Sequence, residues 1–260
     1  MSRTYQKLIV SRENGIETVT LNFPDRRNAI GPTMTNELLW ALSDAHEADD
    51  VRVVVLTGAG KAFCAGGDFS EITGGSSGEQ LPHKGDYSDL LLAMVRAEKP
   101  IVARVNGLAM GGGLGMVAAS HFAIASDDAQ LGTPEINVGL FPMMIMAVLA
   151  RHVPRRRLLQ MMLLGEKFLA SEGKALGLLG QVVPSSELDG AVKVITDGLL
   201  SKSPLTIKLG LRAFAAQDDL DLASALPLLR DRLAECLSTD DAREGLMAFL
   251  SKRPPVWAGK

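Results

Sequence analysis

Hydrophobic and polar positions divide the chain into two regimes. Near the N-terminus, LIVSRE and IETVTLN flank Asn14-Gly15, a pair that tolerates the positive φ of a tight hairpin turn, so two antiparallel strands are expected. A polar loop, Pro24-Asp25-Arg26-Arg27-Asn28, follows. Between Thr35 and Ala48, Leu38, Leu39, Ala41, Leu42 and Ala45 recur at helical spacing and predict an amphipathic helix. VRVVVLTG, residues 51–58, is an unbroken β-branched run that suits a strand buried on both faces. The alternation continues with a helix over Tyr87 to Ala97, a strand at 101–105, a short helix from Gly113 to Ser120 and a strand around Phe122 to Ala125. Thr133-Pro134-Glu135 falls in a loop. From Pro154 onward the pattern becomes nearly continuous helix. There, Ser186 and Asp189 have the spacing of a capping box, and Pro227 is expected to kink or split a helix over 219–237. Gly74 to Gly78, with Ser76 and Ser77, reads as a mobile loop, and no linker is long enough to separate independent domains. One α/β core with a helical C-terminal extension is expected.

Composition narrows the function classes. The chain has 260 residues, 47% of them apolar and 22% charged, which fits a folded globular protein. Its 27 basic and 30 acidic residues leave a net charge of −3, too balanced for the basic field that nucleic-acid binding needs. Cys64 and Cys236 stand 172 positions apart, which argues against a disulfide framework and for a reducing compartment. The opening MSRTYQKLIV lacks the apolar stretch of a signal peptide, so a cytoplasmic location is expected. Residues 105–126 carry no Asp, Glu, Lys or Arg over 22 positions. Even so, Asn106, His121 and three consecutive glycines make that run a poor membrane span.

Glycine is in excess, at 26 residues against a usual share of about 7%. Two glycine-rich loops follow buried strands: Gly58-Ala59-Gly60-Lys61-Ala62-Phe63-Cys64-Ala65-Gly66-Gly67-Asp68 and Asn106-Gly107-Leu108-Ala109-Met110-Gly111-Gly112-Gly113. Neither fits a phosphate loop or a dinucleotide fingerprint. Such loops either allow close packing or present unobstructed backbone N–H groups, and two N–H donors aimed at one point make an oxyanion hole.

AFCAGGD and KPIVARVNGLAMGGG resemble the two signatures of the enoyl-CoA hydratase/isomerase (crotonase) superfamily. PDRRNAI, LGTPEINVGLFP and DDAREGLMAFLSKRPPVW match in order, so the resemblance spans nearly the whole chain. It implies an α/β crotonase spiral of ββα units over residues 1–200. A helical C-terminal region over 201–260 would form a homotrimer or a dimer of trimers. It also implies an acyl-CoA substrate, with coenzyme A belonging to that substrate and no separate cofactor, metal, nucleic acid or membrane involved. By the resemblance, the N–H groups of Gly67 and Gly112 form the oxyanion hole for a thioester becoming an enolate. Ala65, Asp68, Arg26 and Arg27 match segments that cradle coenzyme A, and Lys252 matches a lysine that reaches coenzyme A from a neighbouring subunit. The bland alternative for Arg26, Arg27 and Lys252 is solvated surface charge.

Hydratases of this family pair two glutamates to activate water, one shortly after the triple glycine and one in a later Pro-Glu. Here Gly115 stands at the first place and Glu135 at the second. Glu135 among apolar neighbours such as Ile136, Phe141 and Met143 is expected to have a raised pKa suited to proton transfer; otherwise it is a surface loop residue. Met143 also replaces a glycine whose N–H helps hold the catalytic water in hydratases. One carboxylate and an oxyanion hole suffice to move a proton between C2 and C4 of an enoyl thioester, so isomerisation in fatty or branched acyl-CoA metabolism is expected over hydration. A one-glutamate hydratase and a non-catalytic acyl-CoA-binding paralogue are the alternatives. A dehalogenase is disfavoured, because PMMIMA holds no aspartate nucleophile.

The remaining candidates are weaker. His83 is placed to line the substrate channel, whereas His46, His121 and His152 lack partners at metal or triad spacing. Cys64 reads as a small filler, Met143, Met144, Met146, Met161 and Met162 as core packing before acyl pocket, and Arg155-Arg156-Arg157 as a solvated face.

Overall fold

The structure, a computed structural model, describes residues 3–74 and 81–260. The glycine–serine stretch expected to be mobile therefore lies, beyond Gly74, outside the described residues. Strands β1 (Leu8–Glu13) and β2 (Ile16–Leu21) pair antiparallel across Asn14 and Gly15, which take φ of 51° and 82° as the hairpin requires. Helix α1 spans Pro32–Glu47, beginning a turn earlier than its apolar periodicity suggests because Pro32 is preorganised for a first helical position. β3 (Val53–Gly58) is buried at every position, as its composition predicts.

The chain then runs through β4 (Ala62–Cys64), α2 (Phe69–Gly74), α3 (Tyr87–Val95), β5 (Ile101–Val105), β6 (Leu108–Met110), α4 (Gly112–Ala119), β7 (Phe122–Ser126) and β8 (Gln130–Gly132). A 3-10 turn over Pro134–Val138 leads to α5 (Met143–Leu149) and α6 (Arg155–Leu164). Last come β9 (Lys167–Leu169), α7 (Ala170–Ala175), β10 (Gln181–Val183), α8 (Leu188–Leu200), α9 (Pro204–Gln217), α10 (Leu222–Leu237) and α11 (Asp240–Leu250).

Successive strand pairs divide between two sheets. β3, β5 and β7 enter a six-stranded sheet ordered β1-β2-β3-β5-β7-β10, while β4, β6 and β8 enter a four-stranded sheet ordered β4-β6-β8-β9. Pairing is parallel except for β1 with β2 and β8 with β9. This is the spiral of ββα units that was expected. α8 lays Leu188 and Val192 over Val53, Val55, Val102 and Ile124 on one face of the larger sheet, and the main core fills the other. The uncharged run at 105–126 folds as the end of β5, then β6, α4 and β7, and among the described residues no helix is long and apolar enough to cross a membrane.

Three expectations need correction. The region after Pro154 is not uninterrupted helix: KFL and QVV form β9 and β10, held by pairing with β8 and β7 rather than by local pattern. Ser186 and Asp189 make no capping box, because a 3-10 turn over Ser185–Glu187 leads into α8 and no side chain caps it; Asp189 instead meets Arg104 Nε at 2.7 Å. Pro227 does not split α10, which starts at Leu222 behind the Asp221 cap, so the missing N–H falls in the second turn of a well-anchored helix.

α9, α10 and α11 pack chiefly on one another. The chain end folds back on them: Asp241 accepts from the Ala258 and Gly259 N–H groups at 2.7 and 3.0 Å, and Trp257 Nε1 donates to Ser201 O at 2.8 Å.

His121 carries a testable consequence of packing. Its Nδ1 accepts the Ile101 N–H at 3.0 Å, and burial pushes its pKa down from 6.5 to about 4. The unfolded chain therefore binds this proton more tightly than the folded one. Stability falls as pH drops from about 6.5 to about 4, by up to about 3 kcal/mol. Urea unfolding across that window should give a flatter pH dependence for His121→Gln than for the wild type; equal slopes would refute the assignment.

Candidate active site

The two glycine-rich loops meet at one end of the spiral. Asn28 is fully buried; it accepts the Phe23 N–H at 2.9 Å and donates to Ala59 O and Ala62 O, which ties the Pro24–Asn28 loop to the first glycine loop. Asn106 does the same for the second loop, accepting the Gly58 N–H at 3.1 Å and donating to Gly60 O at 3.0 Å. Neither asparagine stood out as a site residue in the sequence, although both sit inside the matched motifs.

Ile30 bridges to Gly67 through Gly66 O and the Asp68 N–H, so the bridge leaves the N–H of Gly67 itself unengaged. Gly66 has φ of 103°, a conformation side chains disfavour, and a Cβ there would sit 3.3 Å from Met110 O; the two loops touch at this point. Gly111, at φ 49°, turns the chain into α4, and Gly112 is its first residue. The Gly112 N–H therefore lies among the orphan donors at the positive end of that helix.

Gly67, Gly112 and Glu135 line one cavity of about 390 Å³, walled by Ile30, Phe69, Leu140, Phe141, Met143 and Ile145. Glu135 sits in the 3-10 turn that Pro134 opens and Gly139, at φ 76°, closes. It is half-buried rather than a surface residue, and among the described residues its Oε2 is buried with no hydrogen-bond partner. Burial raises its pKa above the usual glutamate value. Phe141 and Met143 are beside it on the cavity wall as expected, whereas Ile136 faces the loop after α6, where Gly165 approaches it.

The place of the absent second glutamate is filled. A Cβ on Gly115 would lie 2.4 Å from Ile145 Cγ2 and 2.6 Å from the Tyr87 hydroxyl. Tyr87, the first residue of α3, donates from that hydroxyl to Gly112 O at 2.5 Å. Burial, with Cys64 and Glu135 nearby, pushes its pKa well above 10, so the phenol stays protonated. The Met143 N–H donates to Phe141 O at 2.8 Å and so is engaged within its own loop.

Other candidates separate cleanly. His83 lines the cavity. Cys64 is buried with its thiol pushed up to about 12, a filler rather than a nucleophile. Met143 and Met144 line the cavity, while Met161 and Met162 are core. Arg155 and Arg156 are exposed, but Arg157 pairs with Glu166 and Glu172. No group of three metal-ligating side chains occurs among the described residues.

The residues matched to coenzyme A are dispersed. Arg27 O accepts the Ala65 N–H at 3.0 Å, while the side chains of Arg26 and Arg27 are exposed and outside the cavity wall. Asp68 is buried: its Oδ1 accepts from Ser70 Oγ at 2.6 Å and from the Ser70 and Glu71 N–H groups, and Lys7 Nζ lies 3.9 Å from Oδ2. Burial raises its pKa, but those hydrogen bonds and Lys7 outweigh it and hold the carboxyl below its ordinary value. The Asp68 side chain thus caps α2. Lys252 lies in the exposed turn after α11, away from its own chain's cavity.

Known proteins share this sequence pattern and fold. The family model described as Enoyl-CoA hydratase/isomerase matches residues 11–260. The chain belongs to that family. It is 34% identical over 248 residues to the rat protein named enoyl-CoA hydratase domain-containing protein 3, mitochondrial, covering 95% of this chain and 83% of that protein. It is 31% identical to the short-chain-enoyl-CoA hydratase of Clostridium acetobutylicum, covering 95% of each. The crystal structure of human enoyl coenzyme A hydratase domain-containing protein 3 superposes with a TM-score of 0.90 at 31% identity, over 97% of this chain and 100% of that one. An enoyl-CoA hydratase structure from Mycobacterium smegmatis gives 0.89 at 32% identity, covering 97% and 99%.

Proposed function

We propose that this family member is an enoyl-CoA double-bond isomerase, with Glu135 its single acid/base. The observation that carries the reading is the closed space at Gly115, where Ile145 and Tyr87 leave no room for a second carboxylate. The engaged Met143 N–H supports it, since that group is unavailable to hold a nucleophilic water.

The thioester oxygen is held by the N–H groups of Gly67 and Gly112. Glu135 takes a proton from C2 of a 3-enoyl thioester, and the electron pair left behind delocalises onto the thioester oxygen as a dienolate. The same proton returns to C4, which moves the double bond from C3–C4 to C2–C3. The N-terminus of α4 adds favourable potential at the oxyanion. No cofactor enters this scheme, because coenzyme A arrives with the substrate. The test compares conversion of a 3-enoyl-CoA to the 2-enoyl-CoA with hydration of crotonyl-CoA. Isomerisation should exceed hydration by at least about tenfold, and the reverse order would overturn the reading.

Hydration by one glutamate is the second reading, favoured by the names of the Clostridium and Mycobacterium relatives. Binding of acyl-CoA with neither reaction would instead indicate a non-catalytic paralogue.

We further propose a homotrimer, or a dimer of trimers, built on residues 201–260. Leu222, Leu226, Leu233, Leu237, Leu246, Phe249 and Leu250 are each more than half exposed in the single chain, an apolar area that calls for a partner. In that assembly Lys252 reaches a neighbour's coenzyme A. Light scattering should give three or six times 27.7 kDa, and a monomer would refute the proposal. The two unpaired cysteines, one buried, favour a reducing compartment such as the cytoplasm.

A further inference from the structure

We infer that Tyr87 decides the reaction outcome: its phenol occupies the water site of the cavity and thereby confines Glu135 to proton relocation. The inference rests on the isomerase reading above and deepens it by assigning the selectivity to a residue that does no chemistry itself.

Four observations converge on this residue. Tyr87 lines the same cavity as Gly67, Gly112 and Glu135. Its hydroxyl lies 2.6 Å from where a side chain at Gly115 would begin, so the phenol reaches into the space a second acid/base would use. It donates to Gly112 O, and its ring and hydroxyl lie 3.4 Å from a Cβ built on Gly112, so the oxyanion glycine is pressed between Tyr87 and Ile30. The backbone that carries Tyr87 is fixed: Asp86 accepts from the Ser88 and Asp89 N–H groups, and the Asp89 carboxylate accepts the Asp86 N–H at 2.8 Å, a complete capping box at the residue before Tyr87.

Removal of the phenol would create a site that suits water. The vacated volume exceeds the roughly 30 Å³ share of a liquid water several times over, and an ordered water needs two to four polar partners. Gly112 O, freed of the Tyr87 hydroxyl, borders that space, and the unpartnered Oε2 of Glu135 belongs to a residue lining the same cavity, so two acceptors are at hand. A water donating to both would lie beside the oxyanion glycine with its lone pairs turned to the substrate. Glu135 would then take a proton from this water as its oxygen bonds to C3 of a 2-enoyl thioester, and deliver that proton to C2. Water is consumed and no other reactant is required. Tyr87 is on this account a positioning residue, because it acts by occupying space and by holding Gly112.

The experiment measures product partition. The full-length protein is given a 3-enoyl-CoA and, separately, crotonyl-CoA in ¹⁸O water, and the 2-enoyl and 3-hydroxyacyl products are quantified by mass spectrometry. Tyr87→Ala should raise the ratio of hydration to isomerisation at least tenfold, with ¹⁸O in the hydroxyl. Tyr87→Phe, which keeps the ring and loses only the hydroxyl with its hydrogen bond to Gly112, vacates too little space for a water and should keep that ratio within about twofold of wild type while lowering kcat for isomerisation severalfold at little change in KM. Tyr87→Leu, which ends short of Gly115, gives the same reading as Ala should the smaller side chain unfold α3. An unchanged ratio in folded Ala and Leu variants overturns the role of Tyr87 and leaves the isomerase reading intact. A wild type that hydrates faster than it isomerises overturns both, and is seen before any variant is made.

Discussion

Glu135→Gln is expected to abolish isomerisation to within the background, a loss of about 10²–10⁴ in kcat, the range a positioned acid/base ordinarily contributes. Glutamine keeps the shape of the side chain and the packing of the 3-10 turn, so folding and acyl-CoA binding should survive. The variant even relieves a cost, since a buried Oε2 without a partner gives way to a neutral amide. The pH profile adds an independent check. Only the ionised carboxylate accepts the C2 proton, and burial raises its pKa, so the acidic limb of kcat/KM should bend above the ordinary glutamate value. Below that bend the rate falls tenfold per pH unit; the residual activity of Glu135→Gln should lack the bend altogether. If Glu135→Gln isomerises at the wild-type rate, the assignment of the base is wrong, whatever the family.

Why the sequence reveals some of these features and hides others follows from what each depends on. The β1–β2 hairpin is legible because Asn14 and Gly15 satisfy a local backbone requirement, and β3 because every position in it is buried. The second sheet is hidden: β4, β6, β8 and β9 are three residues each, too short to display any period, and exist because neighbouring strands of the spiral place their partners beside them. Asp189 misleads for the same reason, since its partner Arg104 is 85 residues away and outcompetes the local N–H groups. Within the site, Gly67, Gly112 and Glu135 are legible through their motifs, and the structure brings all three to one cavity. Tyr87 is not, because its significance arises only where α3 crosses α4. One signal did point to it: a glycine inside a helix costs about 1 kcal/mol relative to alanine, so Gly115 implies that something occupies the space above it. Asp68 is legible as part of a matched motif, but that its side chain caps α2, turned toward Ser70 and Lys7, shows only in the structure.

Gly67→Pro is the second large effect, because it replaces the N–H of the proposed oxyanion hole with a ring methylene pointing at the same spot while leaving the surrounding ladder bonds in place. Those bonds run through Gly66 O and the Asp68 N–H, neither of which belongs to residue 67. Gly67 is outside the left-handed region, and a Cβ there meets nothing closer than Phe69 Cε1 at 3.6 Å, an ordinary contact. The preceding residue is Gly66, which has no Cβ to clash with the pyrrolidine ring. The variant should lose about 10²–10³ in kcat, or about 2.7–4 kcal/mol of transition-state stabilisation, the usual effect of deleting one oxyanion donor. Gly67→Ala is the decisive companion: it adds the same bulk at Cβ and keeps the N–H, so it should stay within a few-fold of wild type. Circular dichroism melts of both variants separate a lost donor from a disturbed loop. Equal losses in the two would show that residue 67 matters for its size, and would remove its N–H from the mechanism. A loss confined to proline shows that the N–H at residue 67, not bulk at its Cβ, is what the reaction needs, and a fall in kcat larger than any loss of acyl-CoA affinity marks a donor acting on charge developing in the transition state, because a contact made equally to the ground state would appear in KM alone.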